Sequence, residues 1–209
     1  MSSEIKANKI SPATGTAFTL GDSGDTFSSP SGATLDVNGT LDVTGATVTG
    51  LSAGKVLQVV QTVKTDTFSN TGNTFVDITG LSVSITPSAT SSKILIFMTL
   101  NGSASQRYYS VRLVRDSTDI FIGDASGSRR RVTLTFDSNS GESDQDFVQR
   151  NVHLSYLDSP STTSSTTYKP QIAMYDSSST AYINRPYYDT DASFVTLSAS
   201  NIIAMEIEG

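Results

Sequence analysis

Lys93-Ile94-Leu95-Ile96-Phe97-Met98-Thr99-Leu100 is the stretch that decides the fold. It is apolar on both faces of an extended chain, the pattern of a central strand. Polar, turn-forming residues flank it, and its length suits a strand better than a helix. Similar runs rich in Val, Ile, Tyr, Phe and Thr recur every 8–15 residues on either side, separated by Ser, Gly, Asp, Asn and Pro. They predict strands near 56–64, 74–79, 81–86, 93–101, 107–115, 118–122, 130–137, 147–157, 167–175, 180–185, 193–198 and 201–208. Several alternate cleanly. Val132, Leu134 and Phe136 interleave with Arg131, Thr133 and Thr135, and Ile203, Met205 and Ile207 interleave with Ala204 and Glu206. No segment carries a capped amphipathic helix pattern. Short strands at this spacing predict an all-β head over residues 55–209, a jelly-roll-like antiparallel β-sandwich.

Composition narrows the function. Hydrophobic residues are 36% of the chain, below the usual 45–50% or so. That supports one core, but not a core along the whole length. Fourteen basic residues stand against twenty acidic ones, for a net charge of −6. Nucleic-acid binding needs Lys and Arg to neutralise phosphates, so no nucleic-acid partner is expected. An anionic membrane is disfavoured for the same reason. The longest apolar run, Ile94–Met98, is too short to cross a bilayer as a helix, so no membrane insertion is expected. There is no Cys, which excludes disulfides, thiolate metal sites and thiol nucleophiles. With no apolar run at the start of the chain, the expectation is assembly in a reducing cytoplasm.

The first fifty residues differ from the rest. Their large apolar residues are spaced singly among Gly, Ser, Thr and Asp. Within them Leu35-Asp36-Val37 and Leu41-Asp42-Val43 repeat six residues apart, with Gly39 and Gly45 as matching turns and Val48 in a degenerate third unit. Each unit places two apolar side chains on one face of an extended piece. A unit of that size cannot bury its apolar face alone, and fewer than three make no stable single-chain solenoid. The segment is either a Gly/Thr-rich linker or a stalk in which identical chains bring Leu35, Val37, Leu41, Val43 and Val48 to a shared axis. The stalk, over residues 31–54, is the expectation, with residues 1–30 as an arm docked on a partner.

Several phrases carry a resemblance: Ser3 to Pro12, Pro30 to Val43, Gly54 to Phe68, Ile85 to Ile96, and Met205-Glu206-Ile207 near the end. In these the chain resembles small tail-fibre and fibre-like virion proteins of phages that infect marine bacteria and cyanobacteria. The resemblance implies a homotrimer, attachment to other virion proteins through the N-terminal arm, and a distal head that meets a host-surface glycan or protein. It implies location in the virion, on the tail, or on the capsid as a mounted fibre or decoration protein. A carbohydrate-binding module with no virion role is the reading from another class.

No catalytic constellation, cofactor site or metal site is expected. The single His, His153, lies in an alternating strand opposite in sense to Val152 and Leu154, and no Gly-x-Ser-x-Gly elbow exists to partner it. Asp22-Ser-Gly-Asp25 and Asp189-Thr-Asp191 do not match a calcium loop and suit turn chemistry. Arg129-Arg130-Arg131 is the one basic run, expected to be a strand-end or ion-pair feature. The most suggestive stretch is Tyr182 to Asp191. Tyr182, Asn184, Arg185, Tyr187, Tyr188 and Asp189 crowd a Pro-containing turn, where rings can stack on sugars and polar groups can bond hydroxyls. Packing of that turn against a neighbouring subunit is the competing reading.

Overall fold

The computed structural model describes Asn38 and residues 55–105, 108–137 and 147–209. The arm and the stalk residues Leu35, Val37, Leu41, Val43 and Val48 lie outside the described residues. The chain divides into two units, Met1–Leu51 and Ser52–Gly209, and all strands described below belong to the second.

Twelve strands follow in order. They are β1 (Val56–Lys64), β2 (Phe68–Thr71), β3 (Val76–Asp77), β4 (Val83–Ile85), β5 (Lys93–Ala104) and β6 (Tyr108–Arg115). Then come β7 (Thr118–Ile120), β8 (Leu134–Asp137), β9 (Arg150–Asp158), β10 (Thr166–Met174), β11 (Thr180–Ile183) and β12 (Ser200–Ile207). They make two antiparallel sheets that face each other across one core, as the sequence predicts. In the first sheet β5 is central. One of its edges pairs with β12 along Lys93–Thr99 and with β11 along Gly102–Ala104, and its other edge pairs with β9. β1 adds outside β12, and β2 outside β11. In the second sheet β6 and β10 pair in the middle, β7 and β8 share the far edge of β6, and β3 and β4 share the far edge of β10.

Alternation decides what is buried. Ile94, Ile96, Met98 and Leu100 of β5 point inward and are at most 1% exposed. Each contributes roughly 1.5–3 kcal/mol by leaving water. Tyr109, Val111 and Leu113 of β6 and Tyr168, Ile172 and Met174 of β10 meet them from the opposite sheet. Pro170 sits in mid-strand, where a proline removes a ladder donor. Its carbonyl accepts from the amide of Ile78, so its missing donor faces the same edge, in the gap between the β4 and β3 pairings.

A polar clamp joins the sheets. Arg115 Nη1 donates to both carboxylate oxygens of buried Asp158, at 3.0 and 2.8 Å, and the Tyr168 hydroxyl donates to Asp158 Oδ2 at 2.7 Å. A buried carboxylate so fully bonded is tolerated, whereas removing a partner would leave an uncompensated charge.

Three sequence expectations change. Phe68–Thr71 is a strand although no pattern announced it, because its pairing to β11 comes from a segment more than a hundred residues away. Residues 193–198 are not a strand. Amide bonds from Ala192 to Thr190 O and from Val195 to Ala192 O curl the chain there instead, leaving Phe194 and Leu197 each 66% exposed. The central strand β5 buries only one face. Leu95 stays half-buried and Phe97 is exposed on the other.

Candidate surface-binding ridge

β11 places the first of the candidate residues. Ala181 and Ile183 point into the core, so Tyr182 points out. The chain then turns sharply at Asn184, whose φ is 64°, a left-handed conformation that Asn accepts better than most residues. Asn184 is fully buried and is therefore not a surface contact, which corrects the sequence expectation. Its amide nitrogen Nδ2 donates to the carbonyls of Lys64 and Asp66, both at 2.9 Å, and its Oδ1 accepts from Ser200 Oγ at 2.6 Å. Its role is to anchor the loop that follows.

That loop carries the rings. The Arg185 guanidinium lies over the Tyr182 ring at 4.1 Å and pairs with Asp189 at 3.0 Å. Tyr182 and Tyr187 have ring centroids 6.0 Å apart, and Tyr187 and Tyr188 are 4.9 Å apart. Tyr188 meets Phe147 at 5.6 Å, and Phe147 meets Phe194 edge-on at 5.3 Å. Five rings thus form a continuous ridge, with Tyr188 and Phe194 the most exposed. Tyr182, Arg185, Tyr187, Tyr188 and Asp189 lie together on the head.

A groove of about 580 Å³ runs beside Tyr182 and Tyr187, lined also by Ser105, Tyr175, Asp176 and Ser179. Tyr175 leads on to Tyr108, with rings 5.0 Å apart, and to a smaller hollow that includes Arg130. Sequence reasoning missed Phe147, Phe194, Tyr175, Tyr108 and Ser105. They are distant in the chain, and no local motif marks them. Pairings between distant strands gather them: β9, β11 and β12 with β5 in one sheet, and β10 with β6 in the other.

The acid beside the groove is engaged in the fold itself. The Asp176 carboxylate is held well below the ordinary range, first by a bond from Tyr175 and then by Ser178 and Ser179. Its Oδ1 accepts from the Ser178 and Ser179 amides at 2.9 and 2.7 Å, and its Oδ2 accepts from Ser179 Oγ at 2.9 Å. It is committed to its own turn. His153 is on β9, on the outward face of the first sheet, bonded to Thr99 at 2.9 Å. Among the described residues no group of three His, Asp or Glu is placed to hold a metal ion. The three consecutive arginines are engaged locally: Arg129 with Ser126, Arg130 with the carbonyls of Met174 and Asn73, and Arg131 with the carbonyl of Gly123.

No protein-family pattern matches the chain, and no curated protein matches it in sequence. Among solved structures it is similar to a chain of infectious bursal disease virus, Gx strain, at 10% identity and TM-score 0.33, over 72% of this chain and 39% of that one. The Gt strain of the same virus gives 11% identity and TM-score 0.31, over 72% and 40%. This protein spans about two fifths of the length of those viral chains. The sandwich itself stands on the strand pairing and core described above.

Proposed function

We propose that this protein is a non-enzymatic structural protein of a phage virion, a short tail fibre that docks through residues 1–30 and meets the host surface with its head. The ligand of the head is a surface glycan. The observation that carries this reading is the five-ring ridge from Tyr182 to Phe194 beside a hydroxyl-rich groove. Rings offer apolar faces to sugar rings, Ser and Tyr hydroxyls bond sugar hydroxyls, and rigid Tyr contacts order at low entropy cost. Several heads on one particle would turn weak contacts into firm attachment. The fibre assignment draws on the resemblance of phrases in the arm, the repeat and the first strands of the head to those of phage fibre proteins.

The test is adsorption and glycan binding with the full chain and its Tyr187→Ala/Tyr188→Ala variant. Losing two ring contacts should weaken glycan binding by at least about tenfold, at roughly 1 kcal/mol or more per ring, with an unchanged melting temperature. Equal binding by both proteins would remove the ridge from the function. Gold-labelled antibody on purified particles separates a tail location from a capsid location. Absence of the protein from particles would favour the stand-alone carbohydrate-binding module.

A further inference from the structure

The outward face of the first sheet starts the ridge at Tyr182 of β11, and across β1, β12, β5 and β9 it carries a further set of exposed apolar side chains. Strand register sets its side chains in rows. Val59 lies beside Met205, Met205 beside Leu95, and Leu95 beside Leu157, so one aliphatic row crosses four strands. The next row is Gln61, Ile203, Phe97 and Ser155, and the one after it is Val63, Asn201, Thr99 and His153. On the other side Val56 lies beside Ile207. Val56, Val59, Val63 and Leu157 are each at least half exposed. β12 sharpens the point. Its inward positions hold Ser200, Ile202, Ala204 and Glu206, while the bulkier Ile203, Met205 and Ile207 face out. The apolar area on this face is on the order of 600 Å², at the top of the range of about 300–600 Å² for the largest patch of a typical monomer.

We infer that this face is an interface between copies of this chain. Three observations choose a second copy as the occupant. The three rows hold no Asp, Glu, Lys or Arg, and Lys93 beside Ile207 stands at the margin, so chains of net charge −6 meet there without acidic groups opposed. Two such faces would together bury on the order of 1,200 Å², the lower bound of specific interfaces. Residues 1–54 lead into β1, which borders this face, and the stalk expected of their Leu/Val repeat would bring copies of the chain together at that strand. β1 is an edge strand of nine residues without proline, the kind of edge that natural proteins otherwise protect. The inference is independent of the glycan reading.

The chain has no cysteine, so single thiols can report on the face. Val59→Cys, Phe97→Cys and Leu157→Cys are made in the full chain, with Asp124→Cys on an exposed loop as control. Native mass and maleimide labelling are then measured, and a Phe97→Glu variant is added. The expected result is a multimer whose thiols at 59, 97 and 157 label at least about tenfold more slowly than the thiol at 124. In Phe97→Glu the subunit dissociation constant should rise by at least about tenfold, as for loss of a central contact, with an unchanged circular dichroism spectrum. A monomeric wild type overturns the inference. So does a multimer whose face thiols label as fast as the control, which would leave assembly to residues 1–54 and the fibre reading intact. Slow labelling in a monomer, with the arm covering the face within one chain, overturns it as well.

Discussion

At Asn184 one side chain does the work of a turn, a brace and an anchor. It holds the carbonyls on either side of Thr65, and it accepts from Ser200 at the start of β12. Beside it, buried Lys64 reaches Asp66 at 2.9 Å, so the corner between β1 and β2 is closed from both sides. Replacing Asn184 with Ala removes three side-chain bonds and leaves two carbonyls without that donor, and Ala tolerates φ of 64° less well. The expected loss is about 2–4 kcal/mol in urea unfolding of Asn184→Ala. The ridge should weaken with it, because Arg185 to Asp189 hang from this residue. The sequence displays Asn184 among polar, ring-bearing neighbours, and nothing in that local pattern distinguishes a brace from a ligand contact. Burial does, and burial is a property of the packed sheets.

Among the elements, β5 carries the greatest constraint, since it pairs with β9 on one edge and with β12 and β11 on the other. Gly102 lies where β5 passes from one partner to the next. A Cβ there would stand 2.7 Å from the carbonyl oxygen of Tyr182 and against the hydroxyl of Tyr109 in the opposite sheet. Glycine is required by that close approach and not by its dihedral angles. Gly102→Ala should therefore destabilise the head by about 1–3 kcal/mol through overpacking. The Tyr109 hydroxyl is buried and has no hydrogen-bond partner among the described residues. Tyr109→Phe should thus be close to neutral, and it should recover part of the Gly102→Ala loss in the double variant. A thermal-melt cycle of the four proteins measures this coupling, and strictly additive melting losses would place the clash on the Tyr182 backbone alone.

Across the whole molecule, pH acts through the acids that hold loops to strands. Glu206 of β12 is buried. Burial works to raise its pKa, but bonds led by those from Ser88 and Gln58 outweigh it and bring the carboxyl down to about 2 from an ordinary 4.5. Its Oε1 accepts from the amide and hydroxyl of Ser88, and its Oε2 accepts from Gln58 Nε2, each at 2.6 Å. Asp77 is lowered too, with burial opposed and overcome by Lys169 and Gln171. A depressed folded pKa means the unfolded chain takes up protons first as pH falls. The stability these groups supply is present above about pH 4.5 and drains away as pH drops toward 2. Denaturant midpoints from pH 7 to pH 2 should show that fall, with a shallower slope in Glu206→Gln, which should also be less stable at pH 7. A profile in Glu206→Gln parallel to the wild type would assign the acid loss to other groups.

The sequence by itself determined that the chain is all-β, roughly where eleven of the twelve strands run, and that Tyr182 to Asp189 is unusual. Those properties follow from local chemistry: strand periodicity, turn residues and ring content. Only the tertiary structure decided which face of each strand is inside. A period of two is symmetric between faces, so the alternation in β12 does not reveal that Ala204 and Glu206 turn inward while Ile203, Met205 and Ile207 turn out. It likewise recruited Phe68–Thr71 as a strand, excluded 193–198, and gathered Phe147, Tyr175 and Phe194 about the loop after β11. Each of these rests on pairing or contact between segments far apart in the chain, and no window of sequence contains both partners.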